Sequence, residues 1–408
     1  MEFRLVVMPG GGDAVDASEL ITNLTWGGRN GSPTRTLDAV LLDHEGPGYE
    51  RLDIDPERGD QCILAYIDDD RKTTELFRGL IMYKGHTSDN RLTFRAYDLG
   101  IYLSNNKDTF VYSNKTATEI FNDVCSRFGI PIGETAATSY TIAEMTSSKT
   151  TGWDTIADAI EQTYENTGVR YAVVAKEGKL NLYERRKNVL QYLLDLNRNI
   201  SQYESSVSIE NIRTRLKAYD KEDTVVAEAV DSDLEAKIGM FQDIETADDE
   251  MTQAQVASMV QTDLSKVNTP EKSLTVTCLG IPDVIAGMGV FVRISDLEIK
   301  DSYYVEEDQH SYSAGSVYTM QLSLTLAEDT QESPPQENPS SFEVGDEVNF
   351  SGGSHYVSSD ASKPAGGTRS AGTAKITNVA KGNAHPYHLI GKSSNVYGWV
   401  DAGTFTKG

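Results

Sequence analysis

A polar, proline-rich segment divides this chain and limits how it can fold. Residues 327–341 read AEDTQESPPQENPSS and contain three prolines among polar and acidic residues, with no hydrophobic period. Such a segment has no face to bury and is typical of an extended linker. The chain has 408 residues, which is enough for two to four domains. We therefore expect a linker at 327–341 between a body, residues 1–326, and a small C-terminal domain, residues 342–408.

The two parts differ in charge. The whole chain has 37 Lys and Arg residues against 62 Asp and Glu residues, a net charge of −25, whereas residues 342–408 hold six bases and five acids. Residues 1–341 therefore carry −26. A surface of this sign repels nucleic-acid phosphates and anionic lipid headgroups. We expect no specific nucleic acid and no membrane among the partners of this chain.

The first residues of the chain and its cysteines indicate the cellular compartment in which it folds. The segment MEFRLVVMPGGG lacks the basic region and the long apolar region of a signal peptide, and no apolar run reaches the roughly 20 residues that cross a bilayer. The three cysteines, Cys62, Cys125 and Cys278, lie far apart and form no CxxC motif. We expect a chain that folds in the cytoplasm with buried thiols.

Residues 1–100 are predicted to form an N-terminal β-barrel or small antiparallel sheet. Runs such as CILAYI at 62–67 are strand-like, and apolar and polar residues alternate over residues 92–97. The acidic stretch Asp68, Asp69 and Asp70 is compatible with a calcium loop, but no Gly or Glu follows at the required spacing. A solvated hairpin turn is the favoured interpretation.

Residues 101–205 are predicted to form an α+β insert. The segment from Thr116 has helical hydrophobic spacing and a capping box with Glu119, which makes Cys125 a core residue and not a nucleophile. The segment GWDTIADAIEQTYENTG at 152–168 repeats the helical pattern. The following run, YAVVAKEGKLNLYER, predicts a β-hairpin that turns at Glu177 and Gly178.

Residues 206–326 are predicted to form a second β-barrel with a helical insertion near 252–267. That helix begins with Thr252 and Gln255 at capping-box spacing. Further along, hydrophobic residues occupy every second position of one run, which predicts a half-buried antiparallel strand. These hydrophobic residues are Tyr318, Met320, Leu322, Leu324 and Leu326. The chain is thus predicted to be mainly β and multidomain, with two barrels, an α+β insert and a small C-terminal β-barrel.

Catalytic motifs are missing from residues 1–341. The segment contains no P-loop, no GxGxxG after a strand, no HExxH and no GxSxG. Asp308 and His310 are spaced to share one face of a strand, which suggests an acid–base pair, but no nucleophile motif accompanies them. A structural turn or a contact between subunits is the favoured interpretation. We predict that the chain is not an enzyme and needs no cofactor.

The C-terminal domain is rich in aromatic residues. Tyr356, Tyr387, Tyr397 and Trp399 stand close to three of the six histidines, His355, His385 and His388. Small β domains need aromatic residues in the core, and those left exposed would suit stacking on sugars or holding a peptide. The spacing of His385 and His388 permits zinc binding if a third ligand such as His355 converges, but the proline between them and the neighbouring aromatic residues favour a shaped surface instead. We predict no metal.

The body resembles a known family. The run DSYYVEEDQHSYSAGSVYTMQLSLTL at 301–326, preceded by GVFVRI at 289–294, resembles the second barrel of phage baseplate hub proteins. SSVSIENIRTRLKAYDKED at 205–223 resembles the entry strand of that barrel in hubs of phages and phage-like bacteriocins of Gram-positive bacteria. The order of elements over residues 1–326 fits the same family, whose members form the ring beneath contractile tail tubes and the base of type VI spikes.

The C-terminal domain resembles a bacterial SH3-like domain found in phage lysins and tail proteins. The matching segments are VGDEVNFSGGSHYVSSDA at 344–361, AGTAKIT at 371–377, HPYHLIG at 385–391 and VYGWV at 396–400. The resemblance implies a module that recognises cell wall or docks on a partner. It implies a groove lined by candidate residues His355, Tyr356, His385, Tyr387, His388, Tyr397 and Trp399.

Together, the resemblances imply a structural baseplate hub of a contractile phage tail or phage-like injection particle. Such a hub would be a homotrimer that joins the tail tube to the central spike. Its partners would be tail tube or tube-initiator proteins, the spike, other baseplate proteins and peptidoglycan through the SH3-like domain. It would reside in a virion or phage-like particle assembled in the bacterial cytoplasm. The alternative is a tail-associated peptidoglycan hydrolase or a cell-wall-binding protein targeted by the SH3-like domain.

Overall fold

The computed structural model describes residues 2–10, 12–42, 55–247, 251–327, 342, 344–380 and 383–407. The chain forms two compact units, Met1–Glu332 and Ser333–Gly408. The fold is mainly β, with 50% of residues in strands and 17% in helices. The linker predicted at 327–341 lies outside the described residues except for Ala327. Over the described ranges, no helix has the length and apolarity that a membrane crossing requires.

The described residues at the start of the first unit form seven strands. In chain order they are β1 (Glu2–Met8), β2 (Val15–Asp16), β3 (Ile21–Arg29), β4 (Thr36–Leu42), β5 (Gln61–Ile67), β6 (Thr73–Thr87) and β7 (Arg91–Tyr97). Hydrophobic residues at alternate positions of β7 are buried, as their spacing predicts. Asp68 lies in the turn between β5 and β6, where its Oδ1 accepts a hydrogen bond from the Lys72 amide at 2.8 Å. The predicted hairpin turn is confirmed.

An α+β segment follows. Its elements are α1 (Gly100–Asn105), β8 (Lys107–Thr116), α2 (Ala117–Arg127), β9 (Ile132–Thr135), β10 (Thr141–Thr151), α3 (Gly152–Thr167), β11 (Tyr171–Lys176) and β12 (Lys179–Glu184). Thr116 and Glu119 form the predicted capping box of α2. Cys125 lies on the buried side of the same helix and has no exposed surface. The predicted hairpin joins β11 to β12 through Glu177 and Gly178, which both adopt positive φ.

The third segment returns to strands. Its elements are β13 (Val189–Asp195), β14 (Ile200–Ser208), β15 (Arg215–Tyr219), β16 (Val225–Val230), α4 (Ser232–Ile238), β17 (Gln242–Thr246), α5 (Gln253–Val267), β18 (Glu271–Leu279), β19 (Gly289–Ile294), β20 (Ile299–Ser313) and β21 (Thr319–Leu326). The predicted capping box of α5 forms between Thr252 and Gln255. Strands β15 to β17 make a small sheet of order β16-β15-β17, on which α5 packs.

The end of the α+β segment differs from its predicted position at residue 205. Strand β13 pairs with β19, and β14 pairs with β18 over its whole length, so both belong to the sheet of the third segment. The α+β segment therefore ends before residue 189. A strand's own sequence indicates that it is a strand but does not identify its partner, and the partners here lie about 60 to 100 residues further along.

One sheet unites the first and third segments. Among the described residues it has thirteen strands. Eleven run in the order β14-β18-β21-β20-β3-β4-β7-β6-β5-β1-β2, and the other two branch from this path, since β19 pairs with β20 and β13 pairs with β19. Strands β3 and β20 join the two halves in antiparallel register, with Trp26 opposite His310 and Gly28 opposite Asp308. Each half has its own hydrophobic core, and the α+β segment has a third. The alternation predicted for β21 is confirmed at Met320, Leu322 and Leu324, which are buried.

The second unit is a five-stranded antiparallel sheet. Its strands are β22 (Glu347–Phe350), β23 (Gly372–Val379), β24 (Tyr387–Gly391), β25 (Tyr397–Val400) and β26 (Phe405–Lys407), in the order β25-β24-β23-β22-β26. One face supplies a core that includes Val348, Phe350, Leu389 and Phe405. The second unit therefore has a hydrophobic core of its own.

Candidate functional sites

The seven residues predicted to line one groove of the C-terminal unit lie in three different places. Tyr387 belongs to the core, where its ring contacts Phe342 and Phe405 edge to face. His388, Tyr397 and Trp399 lie on the opposite face of strands β24 and β25. The remaining three, His355, Tyr356 and His385, form a cluster beside them. Adjacent strand residues point to opposite faces, which is why Tyr387 and His388 separate.

Four side chains of β24 and β25, two exposed and two half-buried, form a surface that we call the aromatic face. It consists of His388, Ile390, Tyr397 and Trp399. Cross-strand pairing sets His388 opposite Trp399 and Ile390 opposite Tyr397. The His388 ring contacts Tyr397 and Trp399 at centroid distances of 5.3 and 5.5 Å, and its Nδ1 bonds to the Thr377 hydroxyl at 2.6 Å. Tyr397 is 67% exposed and Ile390 40% exposed.

The neighbouring cluster holds this face in place from the side, next to β25. Tyr356 exchanges two backbone hydrogen bonds with Trp399, at 2.8 and 2.9 Å, and its ring stacks on His385. The Nδ1 atom of His385 bonds to the Asp401 carboxylate, and its Nε2 bonds to the Ala361 carbonyl at 2.9 Å. These bonds fix Tyr356 and thereby the position of Trp399.

Two histidines of this region have lowered pKa values. Burial lowers the pKa of His388. Burial also lowers the pKa of His355, and the nearby Arg369 guanidinium, whose Nη2 donates to His355 Nε2 at 3.2 Å, lowers it further. The neutral imidazole is therefore favoured at neutral pH, and the aromatic face presents uncharged rings.

The histidines do not converge on a metal position. His385 uses both ring nitrogens in hydrogen bonds, and His388 bonds to the Thr377 hydroxyl and packs against Tyr397 on the aromatic face. In the part of the chain that the structure describes, no group of three or more His, Cys, Asp or Glu residues is arranged to hold a metal ion.

Asp308 and His310 are core residues of β20, which corrects the expectation of a turn or a subunit contact. Both side chains are fully buried where β20 meets β3. Arg35 forms a bidentate ion pair with Asp308, with both N–O distances at 2.6 Å, and the Ala286 amide donates to Asp308 Oδ1 at 2.7 Å. Burial alone would raise the pKa of the Asp308 carboxyl, but the charge and hydrogen bonds of Arg35 hold it well below its ordinary range. The shared face of the two residues is confirmed.

His310 is fixed on both sides and cannot reach a substrate. Its Nδ1 shares a hydrogen bond of 2.6 Å with the Tyr318 hydroxyl, and its Nε2 bonds to the Val284 carbonyl at 3.0 Å. Trp26 stacks on the imidazole at a centroid distance of 5.2 Å. With no exposed surface, the ring has a structural role: it joins β3, β20 and the chain before β19.

The glycine pair at 27 and 28 makes this junction possible. A Cβ atom on Gly27 would lie 2.1 Å from the Asp308 carbonyl oxygen, and one on Gly28 would lie 2.7 Å from Cγ of Arg35. Strands β3 and β20 can thus approach closely because Gly27 lacks a side chain, and Gly28 leaves room for the Arg35 side chain that pairs with Asp308. Reasoning from sequence missed Arg35 and this pair, although two glycines inside a strand pattern indicate a close backbone approach.

The three thiols have no feature of a reactive site. Cys62, Cys125 and Cys278 are buried in three different cores, and burial raises the pKa of each to about 12. The thiolate, which is the nucleophilic form, is therefore strongly disfavoured at neutral pH. The prediction of buried structural thiols is confirmed.

Comparison with known proteins identifies a family. The model of the YqbQ-like family matches residues 24–325, and its match ends beside the segment at 327–341. The chain is 32% identical to YqbQ of Bacillus subtilis over 75% of its own length and 92% of that protein. It is 31% identical to the phage-like element PBSX protein XkdQ of the same organism, over 71% of its own length and 87% of XkdQ.

A solved structure shares the fold. The 43 kDa tail protein of prophage MuSo2 from Shewanella oneidensis superposes with a TM-score of 0.57 at 16% identity, covering 79% of this chain and 98% of that one. The mainly β, multidomain fold is thus one that phage tail proteins have.

Proposed function

The chain belongs to the YqbQ-like family, and from that membership we propose that it is the baseplate hub of a contractile phage tail or phage-like injection particle. In this proposal three copies form a ring that joins the tail tube to the central spike. The relative XkdQ is a protein of a phage-like element, and the structural neighbour is a tail protein, which supports a place in a tail-like particle. The role is structural, without catalysis.

The observation that carries the proposal is the thirteen-stranded sheet with two separate cores. It gives one chain two β regions, residues 1–97 and 189–326, which we propose are the two barrels of a hub. Three copies would present six such regions, and a ring of this kind can meet a sixfold tube on one side and a threefold spike on the other. The ion pair of Arg35 and Asp308 fixes the two regions relative to each other within the chain.

The charge of the body supports the same function. Residues 1–341 carry a net −26, and a ring through which a polyanion passes must not bind it. Negative charges on the wall of the ring would repel the polyanion and so weaken its binding to the ring.

For the C-terminal unit we propose an SH3-like module that docks on the cell wall, with the aromatic face as its contact surface. The exposed Tyr397 ring and the half-buried Trp399 ring provide stacking area for the apolar faces of sugars. The lowered pKa of His388 keeps the surface uncharged, which suits a neutral glycan. Tyr387 packs in the core and has no part in this contact.

The hub proposal predicts where the protein is found in particles. Immunogold electron microscopy on an induced lysate of the source bacterium, with an antibody against residues 1–326, is expected to label the distal end of tail-like particles. Averaged end-on images of the labelled ring are expected to show threefold symmetry. A serum from which the specific antibody has been absorbed is the control.

Gold found only on free protein or wall fragments, beside unlabelled tails, would contradict the proposal. The hydrolase alternative has a separate test in a cell-wall zymogram with the full chain. A clearing zone that disappears after replacement of a single carboxylate in residues 101–270 would establish that alternative.

The aromatic face predicts a contact of measurable strength. Replacing Tyr397 with Ala is expected to weaken co-sedimentation of the full chain with purified cell walls by about 1 kcal/mol, or roughly fivefold in affinity, because one stacking ring is lost. Val357 is 78% exposed and lies outside the aromatic face. Val357→Ala is therefore the matched control and should bind like the parent. Equal binding by the two variants would show that the wall contact lies elsewhere.

A further inference from the structure

A cavity of about 270 Å³ lies inside the first unit, where its three segments meet. Its walls come from β6, from the β11–β12 hairpin and from the chain that leads into β19. Phe77, Leu99, Leu190, Ile285 and Met288 supply apolar surface. The volume and lining suit a short aliphatic group better than a bulky ring system.

The cavity is also lined by a buried carboxyl group with an unused oxygen. Asp98 follows β7 directly and is only 3% exposed. Its Oδ1 accepts a hydrogen bond from the Gly100 amide at 2.9 Å, whereas its Oδ2 has no hydrogen-bond partner among the described residues. A buried polar atom without a partner costs about 1–3 kcal/mol, so a donor that reaches it would be bound favourably.

The other charges at the cavity favour a cation. The guanidinium of Arg35 is neutralised by Asp308, and that of Arg78 forms an ion pair with Glu75 at 2.6 Å.

Apart from these ion pairs, the charged groups that line the cavity are three carboxyl groups and one ammonium group. The carboxyl groups belong to Asp98, Glu177 and Asp283, and the ammonium group to Lys176. An anionic ligand would be repelled once Asp98 is ionised. A metal ion is disfavoured because the described residues contain no metal-holding group of three acidic, His or Cys side chains.

We propose that this cavity binds a primary ammonium group on a short aliphatic stem, with the ammonium at Asp98 and the stem against the apolar wall. Either a free alkylamine or a lysine side chain of another protein has this chemistry. The ammonium would pair with the Asp98 carboxylate, and the rim carboxylates of Glu177 and Asp283 would favour its approach.

The site has a pH dependence that a merely apolar cavity lacks. Burial raises the pKa of Asp98 to about 7, although the Gly100 amide and the charge of Arg35 oppose the rise. An ammonium ion binds the ionised carboxylate, so binding releases the carboxyl proton to the solvent at acidic pH. The affinity should therefore fall about tenfold between pH 8 and pH 6.

The test uses the full chain with two probes, n-butylammonium and Nα-acetyl-lysine methylamide, titrated by saturation-transfer NMR at pH 8 and pH 6. We expect n-butylammonium to bind, with the tenfold loss at pH 6, and at least tenfold weaker binding by Asp98→Asn at pH 8. Comparable binding of the lysine derivative would support a side-chain ligand, and binding of the free amine alone would support a small molecule.

Asp283→Asn is the matched control, because the same chemical change is made at an exposed position of the rim. It is expected to weaken binding less than threefold. Circular dichroism of both variants checks that they are folded. Absence of binding by both probes at pH 8, or equal affinity of Asp98→Asn and the parent, would overturn the proposal.

Discussion

Replacing Asp308 with Asn is expected to lower the free energy of unfolding of the first unit by roughly 3–5 kcal/mol at pH 7, because the Arg35 guanidinium would remain buried without its counter-ion. Both partners are buried, and the pair supplies two hydrogen bonds of 2.6 Å. It also joins β20 to the chain before β4, so its loss loosens the contact between the two halves of the sheet. Urea denaturation followed by circular dichroism measures the change.

A neighbouring ion pair offers a matched control. Glu307 precedes Asp308 on β20 and pairs with Arg29 of β3 at 2.8 Å, but both side chains are about half exposed or more. Exposed pairs contribute about 0–1 kcal/mol, so Glu307→Gln should have a small effect. The double variant Arg35→Met and Asp308→Leu should recover much of the lost stability, because it removes both charges together. A loss below 1 kcal/mol in Asp308→Asn would show that Arg35 reaches water.

The second large effect is a stability difference that depends on pH. The parent is expected to lose up to about 4 kcal/mol of stability relative to Asp98→Asn as the pH rises from about 4 to above 7, since the pKa of Asp98 is raised from 3.8 to about 7. The folded state binds the proton more tightly than the unfolded state. The stabilisation is therefore complete below the unfolded pKa and is lost as the pH rises through the folded pKa.

The measurement is urea denaturation of the parent and of Asp98→Asn at half-unit steps between pH 4 and pH 8. The difference between the two proteins removes the contribution of the other titrating groups. Asp283→Asn provides a comparison at an exposed position and should stay within about 0.5 kcal/mol of the parent throughout. If the free energies of unfolding of the parent and of Asp98→Asn change with pH in the same way, Asp98 is in contact with solvent.

The elements that sequence predicts well are those whose signals are local. The helices α2, α3 and α5 each combine hydrophobic residues at helical spacing with a capping pair, for instance Thr116 with Glu119, within a few residues. The strand β21 shows its period of two from Met320 to Leu324, although Leu326 at its end is exposed. These patterns fix the type of element because they depend on neighbours along the chain.

Partner choice and burial of single polar groups are not local, and there the predictions fail. Asp308 lies in a run that reads like a turn, and only its pairing with Arg35, 273 residues away, makes it a core residue. Asp98 is an ordinary acidic residue in sequence, and its burial depends on three segments meeting. At the aromatic face, strict alternation could have separated Tyr387 from its neighbour His388, because the two cannot face the same side of one strand.

The pairing of β3 with β20 also has a consequence for synthesis on the ribosome. Arg29 and Glu307, which face each other across this pairing, are 278 residues apart. At 5–20 residues per second, the edge of β3 waits roughly 15–60 s for its partner to be made. During that interval its backbone groups are open to strands of other nascent chains, a known route to aggregation. Yield in the cell should thus depend on elongation speed and chaperone supply more than on the final stability of the protein.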